Sequence, residues 1–203
     1  MSRVELDNKR LATKKALSSL NLMHGAIEAA FVGERKRTLW RIDQLKEKMY
    51  LYMVSEDAPN LDIIQKQFGF DNKNDPPKDY DGFLDRLNVG DRWQFRLCAN
   101  PVKSQMVQGQ RGKVVALAGT ESQKEWLCKA AIKNGFSMES FDVIQTVWKR
   151  FPKGSARRLV TIHTVTFAGI LCVTDVNAFR RALTDGIGRE KAYGCGLLTI
   201  ARV

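Results

Sequence analysis

Four glycines within eleven residues near the end of this 203-residue chain constrain its fold more than any other feature. The segment runs from Gly186 to Gly196 and reads G-I-G-R-E-K-A-Y-G-C-G, with Arg189 and Lys191 between the glycines. Glycine adopts positive φ and allows close approach to the backbone, and successive N–H groups in such a segment can bind an anion. A tight reversal of the chain and a phosphate-binding loop are both consistent with this pattern.

The elements on either side of this glycine segment disfavour one class of ligand, the nucleotide cofactors. Asp175–Asp185 shows apolar residues at helical spacing with Asp175 as a capping residue, and Leu197–Val203 is a predicted strand. In a P-loop or a dinucleotide-binding fold, the glycines follow a strand and precede a helix. The order here is reversed, so we expect no nucleotide cofactor.

Positive charge is concentrated in the second half of the chain. Residues 1–90 hold 15 Lys/Arg against 14 Asp/Glu, whereas residues 91–203 hold 18 against 8. A basic half beside a nearly neutral half favours a polyanionic partner on one face. A basic surface without a specific partner is the alternative.

Hydrophobic patterning predicts two similar sets of elements. The first set comprises strand Arg3–Leu6, helix Leu11–Phe31, strands Thr38–Ile42 and Tyr50–Val54 joined by the turn Asp43–Lys48, and the ambiguous segment Leu61–Phe70. Asp71–Asp79 has two prolines and no apolar residue, as expected of a linker or an exposed loop.

The second set is defined more clearly. It comprises strand Arg92–Cys98, helix Thr120–Asn134 with a capping-box-like T-E-S-Q start, strands Phe136–Trp148 and Leu159–Val173, the helix at 175–185 and the closing strand. This β-α-β-β-α-β order predicts an α+β protein with tandem ferredoxin-like domains at 1–75 and 91–203, joined by a linker at 76–90.

A basic hairpin tip connects two strands of the second set. Lys149–Arg158 reads K-R-F-P-K-G-S-A-R-R and carries five cations without an anion. Such a loop can place charges along a phosphate backbone, and a merely solvated loop is the alternative.

The sequence offers few candidates for metal or redox chemistry. The cysteines at 98, 128, 172 and 195 form no C-x-x-C pair, so we expect buried free thiols and no zinc site. The carboxylates show no paired pattern that would hold Mg²⁺. No apolar run is long enough to span a membrane, and M-S-R-V-E-L-D is not a signal peptide, so we expect a cytoplasmic protein.

Two histidines remain as candidates for proton transfer. His24 lies at the edge of the apolar stripe formed by Leu20, Ile27 and Phe31, where a side chain is half shielded. A packed histidine with a satisfied hydrogen bond fits that position equally well. His163 lies mid-strand among apolar residues, so we interpret it as structural.

Several motifs resemble the CasE family, the endoribonucleases that process CRISPR repeat RNA in type I-E systems. R-L-C-A-N-P-V-K at 96–103 resembles that family's F-R-L-x-A-N-P-x-K segment, and Trp126–Leu127 and Gly135–Phe136 also fit. Gly186–Leu198 resembles its C-terminal glycine motif, and His24 falls at the position of its catalytic histidine. Many members carry a tyrosine three residues before the histidine, where this chain has Asn21.

The resemblance implies a metal-independent endoribonuclease that cuts at the base of a repeat stem-loop and remains in the Cascade complex. His24 and Lys191 would be catalytic. The RNA-binding residues would be Arg150, Lys153, Arg157, Arg158, Gly186, Gly188, Arg189, Gly194 and Lys103. Repeat RNA and other Cascade subunits would be the partners, without a cofactor, a metal or a membrane.

Two other functions are consistent with the sequence. One is an RNA-binding subunit of the same complex that cuts weakly or not at all, since Asn21 replaces the usual tyrosine. The other is a structural protein whose basic face binds an acidic protein.

Overall fold

The computed structural model describes residues 1–34, 36–70, 75–107, 110–153 and 158–203. Its first half contains β1 (Ser2–Leu6), α1 (Leu11–Ser18), α2 (Leu20–Ala29), β2 (Thr38–Leu45), β3 (Lys48–Ser55) and α3 (Leu61–Phe68). The three strands form an antiparallel sheet in the order β1-β3-β2. Beyond β1, where a ferredoxin-like domain has its fourth strand, an isolated bridge between Leu6 and Gly69 is the pairing found among the described residues.

The second half repeats this topology with complete strands. It contains α4 (Asp81–Leu84), β4 (Arg92–Ala99), β5 (Val102–Val107), β6 (Gln110–Ala116), α5 (Thr120–Lys133), β7 (Phe136–Lys153), β8 (Arg158–Val173), α6 (Val176–Asp185), the 3₁₀ turn η1 (Lys191–Tyr193) and β9 (Leu198–Arg202). The main sheet has the order β7-β8-β4-β9, and β5 and β6 pair as a separate hairpin between β4 and α5. The tandem ferredoxin-like prediction is therefore confirmed in topology, with the β5–β6 hairpin as an unpredicted insertion.

Two local predictions in the first half need correction. The single helix predicted over Leu11–Phe31 is broken at Ser19, whose φ of −139° and ψ of 86° separate α1 from α2. The predicted turn at Asp43–Lys48 is shorter, because β2 extends to Leu45 and β3 begins at Lys48. His24 consequently lies on a short helix of its own rather than in the middle of a long one.

Two predictions in the second half also differ from the structure. Helix α5 has Gly119 as its N-cap, so Thr120 lies inside the helix, and Ser122 Oγ donates to the Gly119 carbonyl. The predicted linker at 76–90 is mostly exposed but is anchored to the protein, since α4 lies within it and Leu84 and Leu87 are buried in the core of the second sheet.

The β7–β8 hairpin contributes to both hydrophobic cores. Near its base, Phe136 and Val173 pack in the core of the second sheet. Toward its tip, Phe151 and Ile162 are buried in the core that lies under the first sheet. The two domains are therefore joined by a shared hairpin as well as by the chain between them.

Buried hydrogen bonds from Arg41 reinforce the same junction. This β2 residue pairs with Asp43 and also donates to the backbone carbonyls of Arg96 and Leu197 and to the Thr199 hydroxyl. The junction fixes where the segment that precedes β9 lies against the first domain.

Candidate functional site

His24 lies on α2 at the boundary between core and solvent, as predicted from the helical spacing. Its side chain is 22% exposed, while Met23 and Ile27 on the same helix are fully buried. The Glu28 carboxylate lies 3.8 Å from His24 Nδ1, one helical turn away. The imidazole is therefore held beside an anion and is accessible to a substrate.

Asn21 occupies the helix position three residues before His24, so the two side chains are neighbours on one face. Its Oδ1 accepts a hydrogen bond from the Ser19 hydroxyl at 2.6 Å. An amide donates and accepts hydrogen bonds but does not transfer protons at neutral pH. Of these two side chains, only His24 has the chemistry to transfer a proton.

Lys191 begins the η1 turn, and that turn packs against α2 and β2. The element that carries Lys191 is thus brought to the element that carries His24. Burial lowers the pKa of Lys191, and the positive charge of Arg37 lowers it further, against a smaller opposing effect of Asp185. Two cations held close together without a full counter-charge form a site that favours an anion.

Arg37 was not singled out in the sequence analysis. It is exposed just before β2, in the run R-K-R at positions 35–37. The basic run is apparent in the sequence, but its proximity to Lys191 depends on how the two domains dock. Lys36 differs from Arg37, since its Nζ lies 3.0 Å from Glu56 and 3.1 Å from Asp57.

The glycine segment is mainly a connection between the two cores. Gly186, Gly188, Gly194 and Gly196 all have positive φ. Ile187 is buried in the second core and Tyr193 in the first, so the segment crosses from one core to the other within a few residues. The chain reversal predicted from the glycines is confirmed, and side chains of the protein pack against its glycines.

Two of the glycines predicted to bind RNA lie against the first domain. A Cβ at Gly194 would lie 2.9 Å from the buried Trp40 ring, and one at Gly186 would lie 2.6 Å from Leu39. Gly194 is itself buried, which disfavours the predicted RNA contact at this residue, and packing against Trp40 accounts for its requirement for glycine. Gly188 and Arg189 are exposed and stay candidates for RNA binding.

The predicted cations of the hairpin are only partly described. Arg150 is exposed on β7, opposite Thr161 of β8. Lys153 and Arg158 form the last described pair of the two strands, and Arg157 lies outside the described residues. Lys103 is exposed on β5.

The thiols do not all follow the expectation of burial. Cys195 is buried and Cys128 is exposed, and Cys98 and Cys172 are intermediate. A hydrogen bond from Cys195 lowers the pKa of Cys98 to about 7, with further effects of Lys149 and Arg41. These two cysteines belong to the junction between β4 and the glycine segment, where the Gly196 N–H donates to the Cys98 carbonyl.

In the described part of the chain, no three His, Cys, Asp or Glu side chains are grouped so that they could hold a metal ion. Nor does any helix of those residues have the length and apolarity needed to cross a membrane.

Comparison with known proteins gives a match over nearly the whole chain. A family model described as "CRISPR associated protein" matches residues 1–202. The chain belongs to this CRISPR-associated family. Its curated relatives include the CRISPR-associated endoribonuclease Cse3 of Thermus thermophilus, which is 26% identical with 99% of each chain covered. The Cascade subunit CasE of Escherichia coli is 28% identical over 57% of this chain and 61% of its own.

Solved structures of the family share this fold. Thermus thermophilus Cse3, bound to an RNA representing a pre-cleavage complex, superposes with a TM-score of 0.78 at 25% identity, covering 98% of this chain and 97% of that one. A chain of a CRISPR RNA-guided surveillance complex superposes with a TM-score of 0.74 at 25% identity, and both chains are covered in full. The family resemblance and the fold class predicted from the sequence are thereby confirmed.

Proposed function

We propose that this chain is an endoribonuclease that binds CRISPR repeat stem-loops and cuts the precursor RNA at the base of the stem. The packing of the Lys191 turn on the helix that holds His24 is the observation that carries the proposal. The names of the relatives, an endoribonuclease and a Cascade subunit, support it. The cytoplasm is the proposed location, and the other Cascade subunits are the proposed partners.

The chemistry requires few protein groups, because RNA supplies its own nucleophile. The 2′-hydroxyl next to the scissile phosphate attacks the phosphorus, and the 5′-oxygen leaves. His24 moves a proton as general acid or base, a role typically worth ~10²–10⁴-fold in rate. Lys191 and Arg37 stabilise the negative charge that develops on the phosphate. The products are a 2′,3′-cyclic phosphate and a 5′-hydroxyl, and no metal takes part in this proposed mechanism.

The stem is held by the cations of the second domain in this proposal. The proposed cationic contacts are Arg150, Lys153, Arg157 and Arg158 at the hairpin, Lys103 and Arg189; Gly186 and Gly188 would contribute backbone contacts. Because the major groove of A-form RNA is deep and narrow, these contacts read the backbone and the shape of the stem more than its sequence.

Asn21 favours a second function, an RNA-binding subunit that cuts weakly or not at all. The hydrogen bond from Ser19 holds an amide where many family members have a tyrosine. Under this alternative the chain binds the stem-loop and protects it, and another nuclease produces the ends.

Incubation of the purified protein with its own repeat stem-loop in EDTA separates the two functions. We expect cutting at the base of the stem, with a 2′,3′-cyclic phosphate on the upstream product. His24→Ala should abolish cutting while the affinity for the stem-loop stays within a few-fold. Leu22→Ala is the matched control, because Leu22 is exposed on the same helix. Tight binding without cutting by the wild type would establish the alternative instead.

A further inference from the structure

A cleft of about 240 Å³ lies between the β5–β6 hairpin, the β7–β8 ladder and the glycine segment. Its lining includes Asn100, Trp148, Thr161, His163 and Arg189. Of these residues, only Arg189 has a role in the proposed function. The cleft thus combines an aromatic wall, buried polar groups and a cation at its mouth.

The aromatic wall is a stacked pair across two strands. Trp148 of β7 lies opposite His163 of β8, with ring centroids 4.3 Å apart and an interplanar angle of 23°. His163 is 1% exposed, whereas Trp148 is 58% exposed. A large indole surface therefore remains open beside a histidine that is packed in place, and exposed aromatic rings of this kind stack on unpaired bases.

Two polar atoms in the cleft lack a hydrogen-bond partner among the described residues. They are Asn100 Oδ1 and His163 Nδ1, and both residues are more than nine-tenths buried. Burial lowers the pKa of His163, so its ring is neutral at pH 7 and one ring nitrogen is an unprotonated acceptor. Nδ1, which has no partner among the described residues, can be that acceptor. Unsatisfied buried acceptors are costly, so this pair indicates an occupant that brings donors.

We propose that this cleft binds one unpaired base of the RNA, adjacent to the stem, by stacking on Trp148 and donating to Asn100 and His163. Arg189 then contacts the phosphate of the same nucleotide. The proposal rests on the proposed function for its RNA and adds a binding site that is separate from His24.

The acceptors also select among bases. Adenine, cytosine and guanine each carry an exocyclic amino group with two N–H donors, and uracil has a single ring N–H. The cleft should therefore favour an amino-bearing base over uracil. This preference does not follow from stacking alone, because every base has a π-face.

The test compares the affinities of two RNAs that cannot be cut, because the scissile nucleotide carries a 2′-deoxy sugar. One is the bare repeat stem-loop, and the other has its natural unpaired nucleotides on both sides. Trp148→Ala should reduce the affinity contributed by the unpaired nucleotides roughly 5- to 150-fold and leave the bare stem-loop unchanged. Trp148→Phe should keep most of that contribution, since it keeps a stacking surface.

Ile144→Ala is the matched control, because Ile144 is 50% exposed on the same strand. Conversion of the unpaired bases to uridine should reduce the wild-type affinity, and Asn100→Ala should make that reduction smaller, because only the His163 acceptor remains. An unchanged contribution of the unpaired nucleotides in Trp148→Ala would overturn the proposal, as would an equal loss for both RNAs. Equal binding of uridine-converted RNA by the wild type would overturn the donor contacts.

A third RNA, the unpaired nucleotides alone, separates this proposal from the proposed function. If the wild type fails to bind the stem-loop yet binds the single strand through Trp148, the cleft is established and the stem-loop function is lost. If the stem-loop is bound and cut but the single strand contributes no affinity, the endoribonuclease function is supported and the base-binding site is overturned. If Trp148 instead binds another protein, the single strand will likewise contribute no affinity.

Discussion

Arg41 Nη1 donates to the carbonyl oxygen of Leu197 at 2.7 Å, and this bond joins the first sheet to the residue before the last strand. The same guanidinium forms a two-fold hydrogen bond with Asp43, and the two side chains are 4% and 8% exposed. A buried arginine that is fully hydrogen-bonded fixes the position of both partners. The glycine segment, and Lys191 within it, is thereby held against the first domain.

Arg41→Met should destabilise the protein strongly. The change leaves the Asp43 carboxylate buried without its main partner, and removal of one member of a buried pair costs about 3–5 kcal/mol. Because Arg96 Nη1 still lies 3.8 Å from Asp43, we expect the lower end of that range. The free energy of unfolding in urea measures it, with Arg92→Met as control, since Arg92 pairs with Glu139 at the surface. Equal losses in the two variants would contradict this account of the junction.

Gly194→Ala should cost more stability than Gly90→Ala. Both residues have φ near +80° to +90°, which costs an alanine roughly 1–2 kcal/mol. No atom lies within 4 Å of a Cβ at Gly90, whereas a Cβ at Gly194 would lie 2.9 Å from the Trp40 ring. Trp40 is 1% exposed and cannot move aside. The difference between the two melting temperatures isolates the packing effect, and no difference would show that the ring yields.

Arg37→Ala should raise the pKa of Lys191 toward its ordinary value of 10.5. The positive charge of Arg37 disfavours a second cation nearby, so its removal favours the ammonium form. NMR titration of lysines labelled at the side-chain nitrogen measures the change. Lys36→Ala serves as control, because Lys36 is held by Glu56 and Asp57. A larger shift in the control would refute the placement of Arg37 beside Lys191.

Tyr80 should make folding stability fall in strong alkali. Burial raises the pKa of Tyr80 to about 12, above its ordinary 10.0, so the folded protein keeps the phenol neutral while the unfolded chain ionises first. Its contribution to stability is therefore complete below pH 10 and is lost as the pH rises from about 10 to about 12. Tyr80→Phe should lose less stability than the wild type between pH 9 and 11.5, as measured by urea unfolding. Parallel curves for the two proteins would show that Tyr80 is solvated.

Arg150→Ala should weaken stem-loop binding and reduce its salt dependence. Each phosphate contact adds about 0.7–0.9 to the slope of log affinity against log salt concentration. Lys129→Ala, on the exposed face of α5, removes the same charge away from the hairpin and controls for net charge. An equal reduction in both variants would show that Arg150 acts through the overall field alone.

Patterning in the sequence predicted the elements that build a core. Helix α6 is capped by Asp175, whose Oδ1 accepts from the Ala178 N–H at 3.0 Å, as expected from the sequence. The β5–β6 hairpin was not predicted, because its two strands form their own small sheet. All the residues from Lys103 to Met106 are exposed, so buried and exposed positions do not alternate there. Alternation marks a strand only when one of its faces is buried.

Prediction of the site succeeded where it depended on one element and failed where it depended on docking. Helical spacing alone placed His24 at the edge of the apolar stripe, and the structure leaves it 22% exposed there. The neighbourhood of Lys191 and Arg37 follows from contacts between residues far apart in the chain, and no local pattern encodes them. The burial of Gly194 under Trp40 has the same origin.

The β7–β8 hairpin restricts motion between the two domains. An antiparallel ladder with two register shifts runs from Phe136 and Val173 in the second core to Phe151 and Val160 beside the first. A hinge motion between the domains would have to break that ladder or pull Phe151 out of its core. The protein is therefore expected to keep its shape while a flexible RNA adapts to it. Under the proposed function, the distance between the hairpin and His24 would then set how far along the RNA the cut is made.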